Sequence, residues 1–304
     1  MRIILLYALV ILASSSCTTT QHSSADSKPL IVATTGMIGD AVKSIAGDSF
    51  EVVSLMGPGV DPHLYKATQG DMDLLLRADI IFYNGLHLEG KMGEVFEKLG
   101  RTKDVIAVSK DVPKDRLLKV PEFDNNYDPH IWFDLSLWKH TLPVISGSLA
   151  QKHPDFIDLF NKNEQKYSQM LDSLHLWAIT EIEKIPTESR VLITAHDAFG
   201  YFGKAYNMEV KGLQGISTLS EFGMKDRIDL AQLIIDRKIK ALFIETSVPV
   251  RAINSVIESV KDKGFEVNIG GSLYSDAMGN PGTPEGTFKG MFISNINTIT
   301  QALK

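Results

Sequence analysis

From Leu30 onward, short apolar runs alternate with longer segments of helical period. LIVATT at 30–35 reads as a buried strand, and MIGDAVKSIAG after it as a helix. FEVVSLM is a second strand opening into GPGVDPH, and TQGDMDLLLRA is a helix with Thr68 placed to cap it. DIIFYNG and DVIAVS are further strands on either side of the helix KMGEVFEKLG, which ends at Gly100. The second half repeats the alternation, with VLITA, MEVKGL, ALFIET and FEVNIG as strands. FGYFGKAY, KDRIDLAQLIIDRK and PVRAINSVIESVKDK are the helices between them. Strands alternating with helices predict an α/β protein of two lobes, each a mainly parallel sheet flanked by helices.

Between the halves runs PDFIDLFNKNEQKYSQMLDSLHLWAITEIEKI, which has no Gly or Pro after Pro154. As one helix it would be roughly 45 Å long, more than the width of a small domain. Phe156, Leu159, Phe160, Tyr167, Leu171, Leu174 and Ile179 give it a broken apolar stripe. The expected organisation is an N-terminal lobe at 30–153, a rigid linking helix at 154–186 and a C-terminal lobe at 187–304. The competing reading of the linker is two short helices with a turn.

The first 29 residues follow a different pattern. Met1-Arg2 leads into IILLYALVILA and then SSSC, an export signal with an apolar core too short to span a bilayer. It closes at Cys17, the only cysteine in the chain, so an internal disulfide has no second partner. Lipid attachment at Cys17 after removal of the signal at 1–17 accounts for it. A polar tether at 18–29 would follow, with the protein anchored in a membrane and facing the periplasm or the cell exterior. Beyond residue 17, no apolar run reaches transmembrane length. Hydrophobic residues at 44% and charged residues at 22% suit a globular body behind that anchor. A net charge of −6 and the lack of any basic block argue against nucleic acid as a partner.

Four potential metal ligands each follow or border an apolar run: His63, His130, His196 and Asp276, two in each half. Three imidazoles and a carboxylate suit a borderline divalent ion such as zinc. His63, His196 and Asp276 lie beyond the carboxyl ends of predicted strands, where binding loops of open α/β sheets collect. His63 and His130 share an Asp-Pro-His sequence, whose proline restricts the local backbone. Asp61, Asp128, Asp197 and Glu245 are the carboxylates placed to accept a free imidazole N–H and fix its tautomer. Asp197 could instead cap the FGYF helix. His22, His140, His153 and His175 read as tether or helix-surface residues. His87, in NGLHLEG, reads as structural or as support for the ligands. Because imidazole ligates only when neutral, protons should compete with metal as pH falls through about 6 to 5.

Several longer segments, in order, resemble one known family. They are GVDPHLYKATQGDMDLLLRADIIFYNGLHLEGKM, DPHIWFD, HDAFGYFGKAYNMEVKGLQGISTLSE, IETSVP and GGSLYSDAMG. From about residue 30 to the C-terminus the chain is similar to the cluster A-I solute-binding lipoproteins of ABC importers, which take up zinc or manganese. That resemblance implies two α/β lobes on one long helix, with the ion bound between them by His63, His130, His196 and Asp276. It also implies an ABC permease and its ATPase as partners, a monomeric carrier and no catalysis. The position of His196 is Glu in many manganese-specific members of the family. The stretch VPKDRLLKVPEFDNNYD lacks the His- and acid-rich insert of many zinc-specific ones. The set thus resembles members that accept both Zn2+ and Mn2+. The rival readings are a zinc-dependent hydrolase and a surface adhesin with a structural metal. Against the hydrolase stands the absence of HExxH and of a complete GxSxG elbow.

Overall fold

The computed structural model describes residues 28–304 apart from 124 and 220–222. The export signal, Cys17 and all but the last two residues of the expected tether lie outside the described residues. Among those described, no helix is long and apolar enough to cross a membrane.

The first half builds one sheet from β1 (Leu30–Ala33), β2 (Glu51–Ser54), β3 (Ile80–Tyr83) and β4 (Asp104–Ala107), all parallel in the order β2-β1-β3-β4. Its helices are α1 (Gly36–Ala46), α2 (Gln69–Arg77), α3 (Gly93–Leu99), α4 (Leu135–Trp138) and α5 (Leu142–Lys152). Thr68 caps α2 as the sequence suggests. Its hydroxyl accepts the Asp71 N–H, and the Asp71 carboxylate accepts the Thr68 N–H in return.

After a 3-10 turn at Pro154–Phe156 comes α6 (Ile157–Ile182), 26 residues without interruption, so the two-helix reading of the linker is set aside. One face of α6 is buried through Phe160, Tyr167, Leu171, Leu174, Ala178 and Ile182, spaced mostly three or four apart. The Tyr167 hydroxyl donates to Asp40 on α1 at 2.8 Å, and the Asn163 amide donates to the Ile45 carbonyl at 3.1 Å. The helix is therefore a packed wall of the main core, and that core draws residues from both halves.

The second half carries β5 (Val191–His196), β6 (Glu209–Gln214), β7 (Ala241–Glu245) and β8 (Asn268–Leu273). They pair in parallel as β5-β6 and β7-β8, with β5 lying against β7. Around them stand α7 (Gly200–Tyr206), α8 (Met224–Asp236), α9 (Arg251–Asp262) and α10 (Phe288–Leu303). The last strand lies three residues further along than the apolar run FEVNIG suggests. The reason is packing. A Cβ on Gly270 would stand 2.8 Å from Ala302, and one on Gly271 2.4 Å from Thr298, so β8 uses small residues to let α10 close on it. Val267, from the expected run, is buried in the smaller core of this half, with Phe265 packed against it.

Candidate metal centre

Three of the four candidate ligands end or follow a strand, and His130 opens a short turn. β5 is buried along its whole length and ends on His196 itself. His63 sits in the loop after β2, Asp276 in the loop after β8, and His130 immediately before a 3-10 turn at Ile131–Phe133. The Asp276 loop is held to α10 by the Asn295 amide, which accepts from the Tyr274 N–H and donates to the Tyr274 carbonyl.

The two Asp-Pro-His segments make the same turn. Asp61 Oδ1 accepts the His63 N–H at 2.8 Å, and Asp128 Oδ1 accepts the His130 N–H at 2.9 Å. An Asp side chain bonding the backbone two residues on, across a proline of fixed φ, makes a compact rigid hook that presents the histidine.

All four side chains are buried, and one donor atom from each falls within 4.8 Å of every other. His63 Nε2 is 3.3 Å from His130 Nε2 and 3.7 Å from Asp276 Oδ2. Asp276 Oδ1 is 3.3 Å from His130 Nε2, and its Oδ2 is 3.2 Å from His196 Nε2. Donors at about 2.0–2.1 Å from a tetrahedral zinc stand about 3.4 Å from each other. The spacing therefore matches a small divalent ion at the centre. Among the described residues, both Asp276 oxygens and His196 Nε2 are buried with only the charge contacts of the cluster for company, and an ion among them would take the place of those contacts.

The carboxylates around the histidines differ in what they do. Asp128 Oδ1 also reaches His130 Nδ1 at 2.7 Å, and Glu245 Oε2 lies 2.5 Å from His196 Nδ1 while its Oε1 accepts the His196 N–H. Both turn Nε2 of their histidine toward the cluster. Asp61 leaves the imidazole alone: its Oδ2 accepts from the Thr218 hydroxyl at 2.6 Å, a tie from the first half to the second. His63 Nδ1 has no partner among the described residues. Asp197 forms no hydrogen bond to a histidine among those residues, and α7 is entered through Phe199 without a side-chain cap. His87 is exposed and outside the cluster.

Electrostatics separates the histidines. Burial pushes His63 down to about 3, so it is neutral. For His130 burial also acts downward, but Asp128 and Asp276 outweigh it and lift the ring to about 9. Burial likewise opposes the charge on His196, and Glu245 and Asp276 hold it well above the ordinary histidine range. Burial alone would raise the Asp276 carboxyl, yet His196 and His130 hold it well below the usual carboxylate range.

Sequence reasoning missed the contacts that brace the cluster, two of which join the halves. The Trp132 indole N–H donates to the Ser275 carbonyl at 3.1 Å, joining the residue two beyond His130 to the one before Asp276. The Tyr201 hydroxyl donates to the Asp128 carbonyl at 3.0 Å. Asn84 donates to the Pro129 carbonyl at 3.0 Å, next to His130. The hint was present in DPHIWFD and NGLHLEG, where polar and aromatic residues crowd the loops without an apolar period.

Glu245→Gln should lower zinc affinity by about 10- to 100-fold. With the amide oxygen kept on the His196 N–H, the amide NH2 faces Nδ1 and favours the tautomer whose Nε2 carries a proton, which blocks ligation. Competition against a chelator of known affinity measures the effect. Unchanged affinity would remove Glu245 from any role in orienting the ring.

Two α/β elements on one long helix, with a buried cluster drawn from both, define a two-lobed binding protein for a small ion. The sequence model of the ZnuA family, described as zinc-uptake complex component A, periplasmic, matches residues 31–302, and the chain belongs to that family. It is 50% identical over 281 residues to the manganese-binding lipoprotein MntA of Bacillus subtilis, covering 92% of each chain. It is 49% identical over 283 residues to the zinc-binding protein TroA of Treponema pallidum, covering 93% of this chain and 91% of that one. The solved structure of periplasmic zinc-binding TroA from T. pallidum superposes with a TM-score of 0.89, covering 91% of this chain and 99% of that chain.

Proposed function

We propose that this chain is the substrate-binding lipoprotein of a metal-importing ABC transporter. It captures Zn2+ or Mn2+ outside the cytoplasm with His63, His130, His196 and Asp276, and delivers the ion to a permease driven by its ATPase. Lipid on Cys17 anchors it to the membrane, residues 18–29 act as tether, and it works as a monomer. The lobes divide at 30–153 and 187–304, with 154–186 as the link.

The observation that carries this reading is the buried convergence of four donor atoms within 4.8 Å, drawn from both halves. Four protein donors fill a tetrahedron, which suits holding an ion rather than activating a bound water. Relatives of nearly equal identity are named for different metals, manganese for MntA and zinc for TroA. The donor set decides the order: three imidazoles favour zinc, and both Asp276 oxygens together meet the greater oxygen demand of manganese. Zinc therefore binds more tightly and manganese is accepted. Uptake of radioactive zinc and manganese by metal-starved cells lacking the chain tests the role. Wild type should restore uptake and Asp276→Ala should not; restoration by both would overturn it.

Proton release is a second expectation. At pH 7.5 the metal-free site carries a proton on His130, lifted to about 9, and on His196, held well above the ordinary histidine range, whereas His63 is already neutral. Both protons must leave for Nε2 to ligate. Affinity should thus rise with pH up to about 9, by roughly a hundredfold per pH unit where both groups are protonated. Carboxylate partners move the competition above the 6–5 window that an isolated imidazole implies. Calorimetric titration in two buffers of different ionisation heat reads the protons directly; heats independent of buffer would contradict this.

A further inference from the structure

A chamber of about 210 Å³ adjoins the metal cluster, and its walls include His63, His87, Phe123, Asn126, Ser217 and Leu219. His63 is 1% exposed and Leu219 48%. His87 is also exposed, so the chamber leads from solvent to a buried ligand and is lined by two imidazoles, one exposed and one buried. Its walls come from both halves of the molecule.

The backbone at His87 is unusual. Gly85, Leu86 and His87 are consecutive left-handed residues with φ of 82°, 54° and 65°. Glycine tolerates that region, but leucine and histidine enter it at a cost and need surroundings that hold them there. The Leu88 N–H closes the turn on the Gly85 carbonyl at 3.1 Å, and the buried Glu89 anchors its start. Its Oε1 accepts the Thr34 hydroxyl at 2.6 Å and the Asn84 N–H at 2.7 Å, and its Oε2 accepts the Gly85 N–H at 3.3 Å. A buried carboxylate thus anchors a strained turn whose outcome is an imidazole in a chamber wall, edge-on to Phe123 with ring centroids 6.4 Å apart.

We propose that His87 is an acquisition ligand for zinc. Its imidazole coordinates the incoming hydrated ion at the mouth of the chamber, and the ion then exchanges onto His63 and the buried cluster. This rests on the reading of the cluster as the carrier's metal site. His87 forms a way-station on the path and takes no part in the final complex. Removing a way-station slows entry and exit alike and leaves the equilibrium between the end states unchanged. The effect is larger for zinc than for manganese, because imidazole suits the softer ion.

Stopped-flow mixing of metal-free full chain with zinc, then with manganese, tests this, alongside equilibrium competition titration. His87→Asn keeps a residue that accepts the left-handed conformation but is a poor zinc ligand, and His87→Gly removes the strain and the ring together. Both variants should slow zinc association and dissociation by about fivefold each, leave Kd for zinc at the wild-type value, and change manganese rates less. Wild-type zinc rates in both variants would overturn the proposal. A weaker Kd with unchanged association would also overturn it, since that marks support of the final site. Failure of the wild-type protein to bind zinc at all would instead refute the carrier reading, a result the equilibrium titration isolates.

Discussion

Asp276→Ala is expected to weaken zinc binding by more than a hundredfold while the protein stays folded. Asp276 is the only anion in the cluster and approaches the Nε2 atoms of His63, His130 and His196 at 3.7, 3.3 and 3.2 Å. Structural four-ligand zinc sites bind with about 10–16 kcal/mol, so one ligand's share is about 3 kcal/mol, or more than a factor of a hundred. Loss of the only anionic donor adds to that share, because the ion's charge is then met by neutral imidazoles alone. Asp276→Asn keeps an oxygen and the volume but drops the charge, and should fall between the two. Chelator competition gives the affinity, and thermal unfolding without metal gives the folding control. Wild-type affinity in the alanine variant would remove Asp276 from the site.

The second large effect concerns selectivity at His196. Replacing its borderline nitrogen by the hard oxygen of His196→Glu should lower the zinc-to-manganese affinity ratio by about tenfold, about 1.4 kcal/mol. The structure adds a condition to that exchange. Glu245 Oε2 lies 2.5 Å from His196 Nδ1, so the single variant sets one buried carboxylate against another. Like charges at that range cannot both ionise cheaply, and one of the pair takes up a proton. Both metals should therefore bind more weakly in the single variant than in His196→Glu/Glu245→Gln, where the amide can donate to the new carboxylate. The ratio should fall in both. A ratio that holds or rises in the double variant would place selectivity in the shape of the cleft instead of the donor at 196.

The ligand candidates were legible because each follows or borders an apolar run and two share an Asp-Pro-His hook. The same hook hid a difference that only geometry reveals. Asp128 continues to its imidazole, whereas Asp61 turns to Thr218 in the other half. No local pattern announces a partner 157 residues away, or the Trp132 to Ser275 bond across 143. The α/β alternation was readable wherever strands are apolar, as in β1, β3 and β5. It was three residues early at β8, where close approach of α10 demands glycine and the strand lacks the apolar signature. The linking helix was readable from its length without Gly or Pro. Tyr167 was legible as part of its apolar stripe, but the bond from its hydroxyl to Asp40 was not, and Asn163 looks like an ordinary polar position on a helix surface.

X-ray absorption at the zinc edge of the loaded full chain tests the central claim most directly, because it reports the atoms bound to the ion. The geometry of His63, His130, His196 and Asp276 predicts a shell of three imidazole nitrogens and carboxylate oxygen at about 2.0–2.1 Å, with the outer-ring scattering of three histidines. That ring scattering should drop by one imidazole in His196→Ala. A shell of oxygens without imidazole scattering, or a spectrum that His196→Ala leaves unchanged, would contradict it.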